Sequence, residues 1–504
     1  MLRTIRAHLD HRAATQPDRP FLIAPETGAV LTYGALQRHA RALTSQLLAL
    51  GVRPGDKVSL MTCNGYQAGA LLIGIMYGGF TVSPINLLSQ ASQLRYVIEH
   101  SDTRVVFAHA AEIVRLREAI AAIGRDIMVL EIDVDSTALP PAEPFSAEQL
   151  PPVGPDDDAL LMYTSGTTGV PKGVLLSHGN VVAGGEYTTA AHALTESDRV
   201  LCVLPLYHIN GQIVTAVAPL VSGGSVVIPH KFSATSYWQT AAEHGCTWLN
   251  FVPTIVSYLL NAPDPRASGI DISALRFARS ASAPLPPELH RAFEEKFGIG
   301  IIETMGMTET AAPCFTNPLD PAKRKYGSPG VAFGNEAKIV DLAGRDVPDE
   351  TPGEICIRGE NVLTGYYKNP EATEKSFYAG GWLRSGDLGY RDADGFYFVT
   401  GRLKELIIKG GENIAPREID EALMKHPAVL EAAAVGIPDP HYGQEIMACV
   451  VLKPGCACPE AELREFAVTE LGKFKTPKVL RFVADLPRGP SGKVQRLKLA
   501  ELQP

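Results

Sequence analysis

Between residues 36 and 132 the chain switches repeatedly between two apolar periods, and this alternation restricts the fold more than any other feature. Leu36, Ala40, Leu43, Leu47 and Leu50 fall at helical spacing, and after the turn "RPGD" the run Lys57–Met61 reads as a strand. The same order returns in "LLIGIMYGG" before "TVSPI", in "LRYVIEH" before "RVVFA", and in "IVRLREAIAAI" before "DIMVLEI". Helices feeding strands in succession predict an α/β fold of layered subdomains with mainly parallel strands. The Pro-rich segment 138–155 reads as a connector between two such subdomains.

At 504 residues the chain is too long for one core. After Ala337 the texture changes to strand and turn pairs, "EAKIVD", "GEICIRG" and "GFYFVTG", which predict a smaller β-rich unit. Past Arg402 it changes again: "PREIDEALMKH" reads as a helix opened by Pro416, "EAAAVGI" and "MACVVLK" as strands, and "PEAELREFAVTEL" as a helix. The expected division is a large domain over 1–402 and a small α+β domain over 403–504. A net charge of −9 argues against nucleic acid or an anionic membrane as partner. The eight cysteines are scattered with no CxxC pair, as reduced cytoplasmic thiols would be. Charges interrupt the N-terminal apolar residues, so no leader is expected. The most apolar region, 68–88, is broken by Gly74, Gly78, Gly79 and Pro84 and reads as a buried helix and strand, not a membrane span.

Chemistry concentrates in a few short stretches. "YTSGTTGVPKGVLLSHGN", residues 163–180, has the glycines and hydroxyls of a loop whose N–H groups converge on an anion, although a surface hairpin turn has the same composition. It is not a Walker loop, because Gly173 follows Lys172 where that pattern needs Ser or Thr. "ETMGMTET" sets Glu309 beside hydroxyls after a glycine turn, and "GWLRSGDLG" places Asp387 where its carboxylate could accept a pair of ribose hydroxyls. "GRLKELIIKGGENI" offers Arg402 and Lys404 and then a double glycine, and "PRGPSGKVQR" carries Lys493 on a glycine-bearing loop.

In this order, from "LTYGAL" to Lys493, the motifs resemble those of the adenylate-forming superfamily of acyl-CoA synthetases, nonribosomal adenylation domains and luciferases. The resemblance implies an AMP-forming acid–CoA ligase that uses ATP, Mg²⁺ and CoA, with a mobile C-terminal domain. Thr164, Ser165, Gly166, Thr167, Thr168 and Lys172 would wrap the β- and γ-phosphates of ATP. Glu309 would hold Mg²⁺, and Thr308 would sit near the α-phosphate. Ala281, Ser282, Ala283, Met305 and Gly306 would line the nucleotide site, and Asp387 and Arg402 would take the ribose hydroxyls. Lys493 would bridge the acid carboxylate and the α-phosphate, Lys404 would be the hinge, and Gly410 and Gly411 would line the pantetheine tunnel. Met305 stands where the family has a tyrosine stacked on adenine, and Ser385 where threonine is usual.

No His or Cys nucleophile occurs in these motifs, as expected where a carboxylate attacks phosphorus and needs positioning and charge neutralisation, not a base. His208 in "PLYHING" has the sequence context of a core histidine, and the resemblance makes it a gate between acid pocket and CoA tunnel. The pocket segments "YHING", "NFVPT" and "RSASAP" contain no acidic residue, which argues against an amino-acid substrate loaded onto a carrier protein. Read as a strand, "LRFARSASAPL" puts Leu275, Phe277 and Arg279 on one face. A buried guanidinium needs a partner, either a protein carboxylate or a second anionic group on the acid. The run "GGSVVIPHKFSATSYW" with "VPTI" and "RSASAPL" is similar to the branch of oxalate–CoA ligases and ligases for short acids such as sulfoacetate, while Asn210 departs from the histidine of the oxalate branch. A short acid with a second anionic group is the expected substrate, and a general medium-chain or aryl acid is the alternative.

Overall fold

The computed structural model describes residues 2–138, 150–164, 171–488 and 494–502. Most of the expected connector, 139–149, lies outside them. The chain divides into two compact units, Met1–Glu336 with Ile357–Leu383, and Ala337–Cys356 with Arg384–Pro504.

The first unit is α/β and holds two large sheets. A seven-stranded sheet runs in the order Gly365–Tyr366, Lys172–Ser177, Asp158–Thr164, Thr81–Pro84, Lys57–Met61, Val105–His109, Met128–Ile132. From Asp158–Thr164 onward in this order its pairings are parallel, as the helix and strand rhythm requires. Lys172–Ser177 folds back antiparallel on Asp158–Thr164. A nine-stranded sheet has a parallel centre in the order Pro20–Ala24, Ser225–Val227, Arg199–Cys202, Trp248–Phe251, Phe277–Ser280, Ile301–Met307, with antiparallel strands added at both edges.

Helix Tyr66–Tyr77 is buried at every residue and packs against strands of both sheets. A helix apolar on all sides needs neighbours on all sides, and this position supplies them. Among the described residues no helix is long and apolar enough to cross a membrane.

In the second unit, Gly443–Leu452 is the central strand of a five-stranded sheet, forming a hairpin with Val429–Asp439 and pairing also with Ile407–Lys409 and Val479–Phe482, and helices Pro416–Met424 and Glu460–Lys475 cover the sheet. The expected boundary near 402 falls inside this compact unit. Tyr397–Arg402 pairs antiparallel with Trp382–Arg391, setting Asp387 opposite Arg402, so ladder hydrogen bonds group part of the β-rich stretch with the C-terminal segment.

Candidate active site

The stretch 163–180 is a hairpin whose first strand ends and second begins on candidate residues: Thr164 lies opposite Lys172 in the ladder. Ser165, Gly166, Thr167 and Thr168 lie outside the described residues. Beside Lys172–Ser177 runs the short edge strand Gly365–Tyr366, with Tyr366 opposite Val174. This places the Lys172 ammonium 4.7 Å from the centre of the Tyr366 ring, and the Tyr366 hydroxyl donates to Glu309 Oε1 at 3.0 Å. Burial, and then the Glu309 charge, push the Tyr366 hydroxyl above its ordinary pKa, so it remains a donor. A cation, a ring and a carboxylate are thus linked in one group.

Glu309 sits on the single turn Thr308–Thr310 after strand Ile301–Met307. Thr310 Oγ1 accepts from Met307 N at 3.0 Å, Asn361 Nδ2 donates to Thr310 O at 2.9 Å, and Leu363 N donates to Glu309 O at 2.8 Å. The chain reverses directly afterwards, with Ala311 and Ala312 at φ of 43° and 76°. Left-handed backbone at two alanines costs on the order of 1 kcal/mol or more each and marks a turn that its surroundings enforce. Gly306 is required here, because a Cβ would lie 2.4 Å from Ala312 O. The neighbouring Met305 and Thr308 are half-buried.

Arg279 lies on strand Phe277–Ser280, opposite Asn250 on one neighbour and Ile302 on the other. Leu275 precedes the strand, just after a turn at 273–274, and packs with Ala278 in a cluster separate from that of Phe277. The expected face of Leu275, Phe277 and Arg279 is therefore only Phe277 and Arg279, since strand alternation does not extend back through a turn. Arg279 is 1% exposed. Its Nη1 donates to Asn210 Oδ1 at 2.8 Å and Asn250 Oδ1 at 2.9 Å, while its Nε is buried without a partner among the described residues. No carboxylate pairs with it among the described residues. Burial lowers the guanidinium to about 9. His192 is pushed down to about 3 by burial and by the Arg279 charge, so it stays neutral.

Asn250 Nδ2 donates to Asn210 Oδ1 at 3.1 Å, and Asn210 Nδ2 to Ser282 Oγ at 3.2 Å. Asn210 opens an eight-residue π-helix, Asn210–Val217, in which every residue is buried. Such widened turns recur at functional sites. Ser282 is left-handed at φ 72°, between Ala281, whose N donates to Phe251 O at 3.3 Å, and the half-buried Ala283. His208 is half-buried, its ring centre 4.9 Å from that of Tyr207. Asn64 braces this segment, donating to Leu204 O at 3.0 Å and accepting from Leu206 N at 2.9 Å.

The other candidates lie in the second unit. Arg402 Nε bonds Asp387 Oδ1 at 2.7 Å, and the Ser385 hydroxyl accepts from Asp387 N at 3.0 Å. Lys404 is exposed on the turn after Arg402. Gly410 and Gly411, at φ 59° and 86°, form the two-residue turn between Ile407–Lys409 and Glu412–Ile414, where positive φ is needed at both positions. Lys493 lies outside the described residues. His426, Cys458 and Glu462 bring ligand atoms within 4.8 Å of one another, a proximity that their spacing in the chain does not suggest. Ala428 N donates to His426 Nδ1 at 3.3 Å, so the neutral ring carries its proton on Nε2, the atom facing Cys458 and Glu462. That makes the trio a hydrogen-bonded cluster, not a ligand set.

Sequence reasoning missed Asn250, Asn64 and Tyr366. A signal existed for Asn250 alone: an amide inside the apolar strand "WLNF".

Residues 9–367 match the family described as AMP-binding enzyme, and residues 418–493 match the AMP-binding enzyme C-terminal domain. The chain belongs to the AMP-binding enzyme family. Within that family it is 57% identical to a sulfoacetate–CoA ligase of Cupriavidus necator, over 98% of this chain and 97% of the relative. It is 34% identical to an oxalate–CoA ligase of Arabidopsis thaliana, over 99% and 98%. Among solved structures, ATP-bound MatB from Rhodopseudomonas palustris superposes with a TM-score of 0.90 at 30% identity, covering 99% of this chain and 98% of that one. This AMP-binding enzyme is an acid–thiol ligase, an AMP-forming acyl-CoA synthetase that uses ATP and CoA.

Proposed function

We propose that this ligase activates a short carboxylic acid bearing a second anionic group, with sulfoacetate the first candidate, and that Arg279 receives that group. The observation that carries the reading is a fully buried arginine whose only partners among the described residues are two neutral amides. A desolvated guanidinium without a counter-ion is costly, and a bound sulfonate or carboxylate supplies one. The relative named for sulfoacetate supports the same choice. An α-ammonium would face this cation unfavourably, which disfavours amino acids.

The acid carboxylate attacks the α-phosphorus of ATP, its P–O bond forming as the bond to pyrophosphate breaks. The thiol of CoA then attacks the acyl carbonyl and AMP leaves. In the first step Thr164 to Thr168 and Lys172 hold the β- and γ-phosphates, Thr308 lies by the α-phosphate, and Lys493 bridges it to the acid. Ala281, Ser282, Ala283, Met305 and Gly306 line the nucleotide site, and Asp387 and Arg402 take the ribose. Glu309 has one oxygen on Tyr366 and no cationic partner among the described residues, and with the adjacent Thr308 hydroxyl it offers the hard oxygen donors that Mg²⁺ prefers. When bound, Mg²⁺ neutralises phosphate charge in the transition state. For the second step, Lys404 is the hinge of a domain division at 402–404, Gly410 and Gly411 line the pantetheine path, and His208 gates it. The eight free cysteines fit a cytoplasmic enzyme.

The test is a panel of acetate, propionate, hexanoate, benzoate, oxalate, malonate and sulfoacetate, scored by acid-dependent pyrophosphate and CoA-dependent thioester. Preference for dianionic acids is expected. Preference for hexanoate or benzoate would overturn the reading, and release of ADP and phosphate would overturn the chemistry.

A further inference from the structure

We propose that Asn210 and Asn250 are the positioning residues of the second-anion subsite: their amide carbonyls clamp Nη1 of Arg279, fixing the guanidinium without cancelling its charge. The inference rests on the substrate reading above. Both carbonyls converge on the same nitrogen, at 2.8 and 2.9 Å. Nη2 has no partner among the described residues, and Nε is buried and unpaired. Nε–H and the adjacent Nη2–H form one edge of the planar guanidinium, the edge that grips a carboxylate or sulfonate with two parallel bonds. The clamp therefore occupies the end of the fork that the ligand does not need.

The choice of amide is the informative part. A carboxylate at either position would accept the same hydrogen bond and would be favoured by the buried charge, but it would quench the field that selects an anion. The two amides also hold each other, and Ser282 holds Asn210, so the carbonyl directions are set by a chain of bonds from Ser282 through Asn210 to Asn250. That chain joins the start of the π-helix, the strand Trp248–Phe251 and the loop after Phe277–Ser280.

Asn210→Asp tests this with one change. The new carboxylate keeps the bonds from Arg279 Nη1 and Asn250 Nδ2 on one oxygen, and its other oxygen accepts from Ser282 once that hydroxyl turns to donate. Only charge is altered. The ratio of kcat/KM for sulfoacetate to that for propionate is expected to fall by about 10² to 10³, mostly through KM for the dianion. The alkaline limb of the wild-type sulfoacetate pH profile is expected to move to higher pH in the variant, a shift that a purely structural role does not produce. Asn250→Ala removes one anchor and adds no charge, and should raise KM for sulfoacetate about tenfold more than KM for propionate. Should Asn210→Asp not fold, that second variant decides the matter. An unchanged selectivity ratio in both variants, or equal losses on both acids, overturns the clamp while leaving the dianion reading intact. A wild type that prefers propionate overturns the dianion reading itself.

Discussion

Arg496 reaches Glu405 at 3.3 Å, one residue beyond Lys404. The same guanidinium bonds Asp420 at 2.6 Å and Ala434 O at 2.9 Å, which ties Glu405 to helix Pro416–Met424 and strand Val429–Asp439. On the other side of Lys404, Leu403 N donates to Gly386 O at 3.0 Å and Arg402 bonds Asp387 at 2.7 Å. Lys404 stands between these two groups of contacts, in a turn where Glu405 N donates to Arg402 O at 3.0 Å, and it is the residue proposed as the hinge.

Lys404→Pro, by locking φ near −65°, is expected to spare acid-dependent pyrophosphate exchange and to cut CoA-dependent thioester formation by about 10² or more. Lys493→Ala is expected to do the reverse, losing exchange while retaining thioester formation from supplied acyl-adenylate. Equal loss of both half-reactions in both variants would rule out the hinge.

Arg279→Met is expected to stabilise the protein by about 1 to 4 kcal/mol at pH 7 while abolishing the dianion preference. Burial lowers Arg279 from 12.5 to about 9, so between these values the unfolded chain binds the proton more tightly than the folded one. The folded state loses stability as pH falls through 9, and the cost is complete at pH 7. Denaturant melts of both proteins, with and without sulfoacetate, check this: the ligand should stabilise the wild type and not the variant.

Above about pH 9, kcat/KM for sulfoacetate should fall roughly tenfold per unit as Arg279 loses its proton, because this parameter reports the free enzyme. The profile for propionate should lack that limb. Parallel profiles for the two acids would show that Arg279 is not the selecting group.

Tyr366→Phe removes the bond to Glu309 and keeps the ring beneath Lys172. A hydrogen bond to a charged group contributes about 1.5 to 3 kcal/mol, so kcat/KM for ATP should fall about 10- to 100-fold. Tyr366→Ala should cost more, since the cation also loses its ring. Acyl-hydroxamate formation at varied ATP measures both, and an unchanged kcat/KM for ATP in Tyr366→Phe would mean that the hydroxyl does not orient Glu309.

The α/β rhythm was legible because each element carries its own period: the helix at 66–77 and the strands at 57–61, 81–84, 105–109 and 128–132 stand where the pattern puts them. The hairpin reading and the anion-loop reading of residues 163–180 turned out to be compatible, since the described strands on either side of the glycines form the hairpin. Leu275 was misplaced because a turn resets strand alternation without leaving a strong mark in composition. Tyr366 was missed because nothing local marks it. It meets Glu309 across 57 residues of chain and Lys172 across the pairing of two strands.

By itself the sequence determined the layered α/β class, the order of the nucleotide motifs and the presence of an arginine on the apolar side of a strand, because periodicity and motif spacing are local properties. It left the partner of that arginine undecided between a protein carboxylate and a ligand. Only the tertiary structure shows which of the described residues meet it: parallel pairing sets Asn250 opposite Arg279, and the π-helix brings Asn210 against both. Burial is a property of what surrounds a side chain, and whether a buried charge meets an amide or a carboxylate depends on segments far apart in the chain that come together only when the sheets close.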